Sequence, residues 1–297
     1  MDEIAFSVVQ TEDLGYALCG SGWLLKTDSQ GNVQWSKTYG QLRPFRVIKA
    51  DDGGYAIIGS FAFDNDVRTP VLMKTDENGN LLWNKTFSLN SYLTSAGDVV
   101  ETDGGDYVVA GIWGGDFWLA KTDNGGNLLW NQTYNHVSGA QIFRSIAKTG
   151  DGGFILSGDG GGNAWLIKTD FEGEEIWSFN YTSSESISTF HSAVELVDGG
   201  YIAVGYFNSR ALLVRTDASG VSLWNSAYGE DYPYEAFSVI APNDGGFVVA
   251  GSLDNNVWLA KFAPESQFWS SVVLLAAGLV TIAVVSLSLL HLKKRKP

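Results

Sequence analysis

The chain has 297 residues but one cysteine, three histidines and six prolines. A lone Cys19 excludes an intramolecular disulfide and any cysteine-based zinc cluster. His136, His191 and His291 have no neighbours at metal-ligand spacing, so no metal site is expected. Six prolines beside 35 glycines exclude a collagen or a Pro-rich linker. Cations are scarce too: 19 against 33 acids, for a formal net charge of −14. Four of those cations, Lys293, Lys294, Arg295 and Lys296, sit in the last residues, so the rest is more acidic still. Such a surface repels nucleic acid, whose phosphates need basic patches, and anionic lipid headgroups. No export signal opens the chain: Met1-Asp2-Glu3 is acidic, and Ile4 to Gln10 is too short and too alternating for an apolar signal core. Before residue 270 no segment keeps a 3.6-residue apolar period, which excludes long amphipathic helices.

What is present is repetition. Lys-Thr-Asp begins at Lys26, Lys74, Lys121 and Lys168, Arg215 takes the same role, and Lys261 is a degenerate sixth; the steps are 46 to 48 residues. Gly followed by an aromatic recurs at Gly15-Tyr16, Gly54-Tyr55, Gly153-Phe154, Gly200-Tyr201 and Gly246-Phe247, with Asp106 reading as an extra residue before Tyr107. Tryptophan recurs at Trp35, Trp83, Trp130, Trp177 and Trp224. Each repeat reads as four short strands, a to d: in the second, Phe45 to Lys49, Tyr55 to Gly59, Val71 to Lys74 and Asn80 to Phe87. Four-stranded units of about 47 residues predict an all-β, six-bladed β-propeller over residues 1–262. The repeats run approximately 5–44, 45–94, 95–142, 143–189, 190–236 and 237–262. The last lacks its outer strand, and a missing upstream segment is expected to supply that strand together with a signal.

The segment Lys-Thr-Asp-x-x-Gly-Asn-x-x-Trp resembles the tryptophan-docking motif of quinoprotein-like propellers, of the prokaryotic or archaeal cell-surface type. The resemblance covers about five of the six repeats. It implies that Asp and Gly shape the c–d turn and that the indole packs on the neighbouring blade, which makes Trp35, Trp83, Trp130, Trp177 and Trp224 structural. It implies no particular ligand.

After a short linker, 263–267, the residues 268–292 read as a transmembrane helix. Ser270 to Leu290 are 21 uncharged residues, ~31 Å as a helix and about one hydrocarbon thickness. Phe268 and Trp269 suit one interface, and the basic tail 293–297 places the other end in the cytoplasm. The propeller is then expected outside the cell membrane, single-pass, with Asn84, Asn131 and Asn180 as glycosylation acceptors on or just past strand d.

Two candidate surfaces follow. The b–c and d–a loops differ between repeats and share one face, where Asp64, Asp66, Trp113, Asp116, Tyr232 and Tyr234 have the composition of a binding surface. Strand a carries Arg46, Arg144 and His191 at what reads as one shared position, at the mouth of a channel. The Asp76, Asn78 and Asn80 alternation invites calcium, yet lacks the spacing of an EF-hand loop and reads as a turn cap. The expectation is a binding or scaffold module for a protein or glycan, without a cofactor and without catalytic residues. A sialidase-like glycan hydrolase, built on Arg46 and Arg144 with Tyr232 or Tyr234 near Glu230 and Glu235, is the competing reading. A quinone-dependent dehydrogenase is the other.

Overall fold

The computed structural model describes residues 4–62, 68–87, 94–181, 187–229, 234–253, 256–264, 272–276 and 282–285. They form six antiparallel sheets in which each strand pairs with the next in sequence. Blade one is β1 (Ala5–Gln10), β2 (Tyr16–Gly20), β3 (Trp23–Thr27) and β4 (Val33–Thr38). Blade two is β5 (Leu42–Lys49), β6 (Tyr55–Ala62), β7 (Arg68–Thr75) and β8 (Leu81–Thr86). Blade three is β9 (Thr94–Glu101), β10 (Tyr107–Trp113), β11 (Asp116–Thr122) and β12 (Leu128–Tyr134). Blade four is β13 (Gln141–Lys148), β14 (Phe154–Gly160), β15 (Asn163–Thr169) and β16 (Glu175–Asn180). These four blades belong to one compact unit, Met1–Glu185. The second unit, Ser186–Pro297, holds blades five and six. Blade five is β17 (Ser188–Glu195), β18 (Tyr201–Phe207), β19 (Arg210–Thr216) and β20 (Ser222–Tyr228). Blade six opens with β21 (Tyr234–Ile240), β22 (Phe247–Leu253) and β23 (Asn256–Phe262).

Burial follows the strand pattern. Second and third strands are apolar on both faces and buried almost throughout, as in β10 and β15. Fourth strands alternate and keep one face in solvent, as in β8 and β12. Within each unit the core lies between successive blades. Blades three and four share one made of Phe117, Tyr134, Phe143, Phe154 and Trp165. Blades five and six share another, with Leu213, Phe247 and Trp258. Each such side chain contributes about 1.5–3 kcal/mol on burial.

Two expectations stand apart from the rest. The helix predicted over 270–290 is not shown, and the described residues of that run are two short strands, β24 (Val272–Ala276) and β25 (Ile282–Val285). β24 pairs with β23. An open β23 edge presents unpaired N–H and C=O groups, and a Val- and Leu-rich run of high β-propensity satisfies them. Among the described residues no helix is long and apolar enough to cross a membrane. The second concerns Asp106, which is not an insertion. Thr102 N–H bonds Asp106 O and Gly105 N–H bonds Thr102 O, the same pair that Ala50, Gly53 and Gly54 form in blade two. Asp106 thus stands in the place of Gly54.

Candidate functional site

One face of each blade carries the a–b and c–d turns, and its chemistry repeats. The c-strand cation turns back to the Asp of its own a–b turn: Lys26 to Asp13 at 2.7 Å, Lys74 to Asp52 at 2.6 Å and Lys168 to Asp151 at 2.9 Å. Arg215 binds Asp198 in the same way, and Lys261 binds Asp244. Lys26, Lys74, Lys168 and Arg215 are buried, and each also donates to the carbonyl of the following Thr. Lys121, facing the displaced Asp106, is looser, with a 3.3 Å contact. The hydrogen bond from Lys26, helped by Thr11 and Gly15, holds the Asp13 carboxyl well below its usual range. At Asp151 burial works upward, but Thr149, Lys168 and Gly153 outweigh it and bring the pKa down to about 2. These cations are consumed within their own blades.

The c–d turns are equally closed. Asp76 Oδ1 accepts from the N–H of Asn78 and Asn80, and Oδ2 accepts from Asn80 Nδ2. Asp28, Asp123, Asp170 and Asp217 likewise accept the N–H four residues on. Gly79, at φ +73°, completes the turn. The Asp76 carboxylate is therefore a cap, and among the described residues no three His, Cys, Asp or Glu side chains are grouped to hold a metal. The d-strand indoles dock on these turns in the following blade. A Cβ on Gly79 would lie 2.8 Å from the Trp35 ring, on Gly126 2.6 Å from Trp83, and on Gly173 2.7 Å from Trp130. Tyr55 and Tyr107 meet Trp35 and Trp83 edge-on at 6.1 and 6.0 Å. Trp177 and Trp224 stand at the same place on β16 and β20. A cleft of about 420 Å³ opens beside the first docking, lined by Gln34, Trp35 and Tyr55, but its two lysines are paired, Lys26 with Asp13 and Lys49 with Glu12.

The opposite face carries the b–c and d–a loops. In blade three a two-glycine turn, Gly114 and Gly115 at φ +62° and +103°, separates Trp113 from Asp116. Trp113 is half-buried, 5.8 Å from Trp118, which in turn meets Phe87 at 5.3 Å. Asp116 is half-buried and receives Gln141 Nε2 at 3.4 Å, while Gln141 N–H donates to Gly115 O. In blade five the corresponding turn is Asn208-Ser209, both at positive φ, and Tyr234 N–H donates to Ser209 O. The half-buried Tyr234 ring packs over Gly229. Asp64, Asp66, Tyr232 and Glu230 lie outside the described residues.

The first strands correct the third group. Each contains a β-bulge whose extra residue is Phe6, Phe45, Gly97, Arg144, His191 or Phe237. The next residue is Ser7, Arg46, Asp98, Ser145, Ser192 or Ser238. Arg144 and His191 are therefore bulge residues, whereas Arg46 is one register step further on and belongs with the serines. An inserted residue shifts every later side chain to the other face, and nothing in spacing alone reveals it. The post-bulge row staples neighbours: Val47 N–H donates to Ser7 Oγ at 3.3 Å, and Val239 N–H to Ser192 Oγ at 3.3 Å. His191 is held at 2.7 Å by Glu235. Asp98, which sequence reasoning missed, takes the serine's place between blades three and four. It is 1% exposed and accepts from Val99 N–H, Ile146 N–H and the Ser145 hydroxyl. Burial pushes its carboxyl up, against the pull of Arg46, whose Nε lies 3.0 Å away. Arg144 Nε donates to Asp159 at 2.7 Å. The signal for Asp98 was a carboxylate in a row otherwise held mainly by serine. Burial also pushes the Cys19 thiol up to about 12, which leaves it inert.

No family model matches the sequence, and no curated protein aligns with it significantly. Solved structures do resemble the fold. The WD40 β-propeller domain of Doa1 superposes with a TM-score of 0.64 at 16% identity, over 89% of this chain and 81% of that one. Virginiamycin B lyase from Staphylococcus aureus, determined with quinupristin, gives 0.61 at 11%, over 93% and 92%. A glucose dehydrogenase gives 0.60 at 10%, over 86% and 95%. At such identities the likeness shows the fold alone: an all-β, six-bladed propeller of four-stranded blades, shared by binding modules and enzymes.

Proposed function

We propose that the chain is a membrane-anchored, extracytoplasmic propeller that binds a protein or glycan partner through its b–c and d–a loops. The observation that carries this reading is the contrast between the two faces of the blades. Turns on one face repeat the same Asp caps and consume their own charges. Loops on the other differ from blade to blade and present Trp113, Asp116 and Tyr234. Aromatic anchors among acids are what a recognition surface needs. The glucose dehydrogenase and the lyase show that the fold also hosts enzymes; here Asp98 on β9 and Asp159 on β14 are each bound to an arginine, and Glu235 on β21 to His191.

The anchor is the uncharged run Ser270 to Leu290, followed by the basic tail. In the proposal the run leaves the β23 edge and spans the bilayer as a helix, in which every backbone group is satisfied internally. β23 ends at the Asp244 turn, which Lys261 contacts, so a five-residue linker of at most ~18 Å sets the regular face toward the membrane. Asn84, Asn131 and Asn180 are exposed on β8, β12 and β16, and are proposed to carry glycans.

The test is a screen of the full chain against glycans and surface proteins of its host. Trp113→Ala and Tyr234→Ala are expected to weaken capture of the identified partner at least tenfold, measured under conditions where each variant stays folded. A partner that binds on the Asp-cap turns, or capture indifferent to both changes, overturns the reading. Carbonate extraction that frees the chain from membranes overturns the anchor.

A further inference from the structure

The cleft of about 420 Å³ beside the first indole docking lies within one compact unit, between blades one and two, on the side of the turns. Ligand pockets start at ~300 Å³, so the space suits a small molecule. Two departures from the repeat line it. Gln34 precedes Trp35, where the later blades have Leu82, Leu129, Ile176 and Leu223 before their tryptophans. An amide thus stands where the repeat supplies an apolar side chain. Lys49 stands opposite Tyr55 in the register of β5 and β6, where blade three sets Glu101 opposite Tyr107. Glu101 Oε1 accepts from the Tyr107 hydroxyl at 3.3 Å, whereas Lys49 reaches across to Glu12 at 2.8 Å. The Tyr55 hydroxyl is left with no hydrogen-bond partner among the described residues, although Tyr55 is 2% exposed and borders the cleft. A buried hydroxyl without a partner is costly, and a ligand that pairs with it removes that cost.

Three carboxylates and two ammonium groups line the cleft. Lys26 is held by Asp13, by Gln34 Oε1 at 3.0 Å and by the Thr27 carbonyl, and Lys49 is held by Glu12. Glu77 is the charge left over: it is exposed, and its carboxylate has no ion-pair or hydrogen-bond partner among the described residues. Burial, then the charges of Asp13 and Glu77, push the Tyr55 hydroxyl up to about 12, which places both carboxylates within electrostatic reach of it. An anion entering here meets no free cation. Among the described residues no three His, Cys, Asp or Glu side chains are grouped to hold a metal. The rings of Trp35 and Tyr55, edge-on at 6.1 Å, border the same space, and aromatic rings attract an ammonium group.

We propose that this cleft binds a small free primary alkylammonium compound, with Glu77 as its counter-charge and the Tyr55 hydroxyl accepting one of its N–H bonds. The site lies on the turn face and takes a small molecule, so its failure leaves the loop-face reading of a macromolecular partner untouched.

Ligand-observed NMR titration of the full chain with butylammonium, tetramethylammonium and 1-butanol tests it. Butylammonium is expected to bind, tetramethylammonium, which has no N–H to give, at least threefold more weakly, and the neutral butanol of the same length not at all. Glu77→Gln is expected to raise Kd for butylammonium at least tenfold. Tyr55→Phe keeps the ring against Trp35 and removes only the unpaired hydroxyl, so binding should weaken at least threefold with no loss of stability in urea. Glu172→Gln, which removes an exposed carboxylate from the c–d turn of blade four, controls for bulk charge. No binding of butylammonium, equal binding of butanol or tetramethylammonium, an unchanged Kd in Glu77→Gln or Tyr55→Phe, or an equal loss in Glu172→Gln overturns the proposal.

Discussion

Gly79→Ala tests whether the indole docking is a source of stability or only a contact. Two costs arise at this position. The backbone is left-handed at φ +73°, where an L side chain costs about 1–2 kcal/mol. The new methyl would also sit 2.8 Å from Cη2 and Cζ3 of Trp35 and 3.2 Å from Lys37 Cγ. The lysine stem moves easily, but the indole is wedged between Gly79 and Tyr55, so overpacking adds about 1–3 kcal/mol. Gly53→Ala is the control: φ is +92°, and nothing lies within 4 Å of its Cβ, so only the backbone cost applies. Urea unfolding followed by tryptophan fluorescence should give Gly79→Ala a loss about 1–3 kcal/mol larger than Gly53→Ala, with the m-value unchanged. In the background Trp35→Ala, which removes the ring, the two substitutions should cost the same. If Gly79→Ala and Gly53→Ala are equally destabilising with Trp35 present, the docking contact carries no energy and the argument fails.

Three further expectations follow from the same turns. Asp52→Ala strands the buried Lys74 amine with one carbonyl partner and should cost about 3–5 kcal/mol, measured by urea denaturation. Lys74→Met, which leaves Asp52 able to reach solvent, should cost less. For Asp151 the folded pKa is depressed to about 2, so its contribution is present above the unfolded value of about 3.9 and is lost as pH falls through 2. Thermal unfolding of wild type and Asp151→Asn should therefore differ at pH 5 and converge toward pH 2; a constant gap across that window refutes the linkage.

Much of the architecture was legible because it repeats. Lys-Thr-Asp, the turn glycines and the tryptophans mark each blade at a constant step, and periodicity of that kind survives ignorance of any single contact. The positions that escaped are those where one residue changes the register. The bulges separate Arg46 from Arg144, which spacing had treated as equivalents. Asp106 looked inserted because its Gly-Gly pair precedes it, and only the backbone hydrogen bonds reveal a substitution. The segment after β23 satisfies two physical patterns at once, an uncharged span of membrane length and a β-rich run beside an open edge. Asp98 escaped for a different reason. Its meaning lies in a partner on the preceding blade and an N–H on the next, neither near it in sequence.

The docking of indole on glycine has a direction. Trp35 precedes Gly79, Trp83 precedes Gly126 and Trp130 precedes Gly173, so in every pair the anvil leaves the ribosome before the piece laid on it. A nascent blade finds the template for its c–d turn already in place, and N-terminal-first synthesis matches the order of assembly. The same polarity makes the repeat a unit of inheritance. Gain or loss of one whole blade returns each indole to a glycine one step along, whereas a cut at any other phase leaves a ring with nowhere to sit.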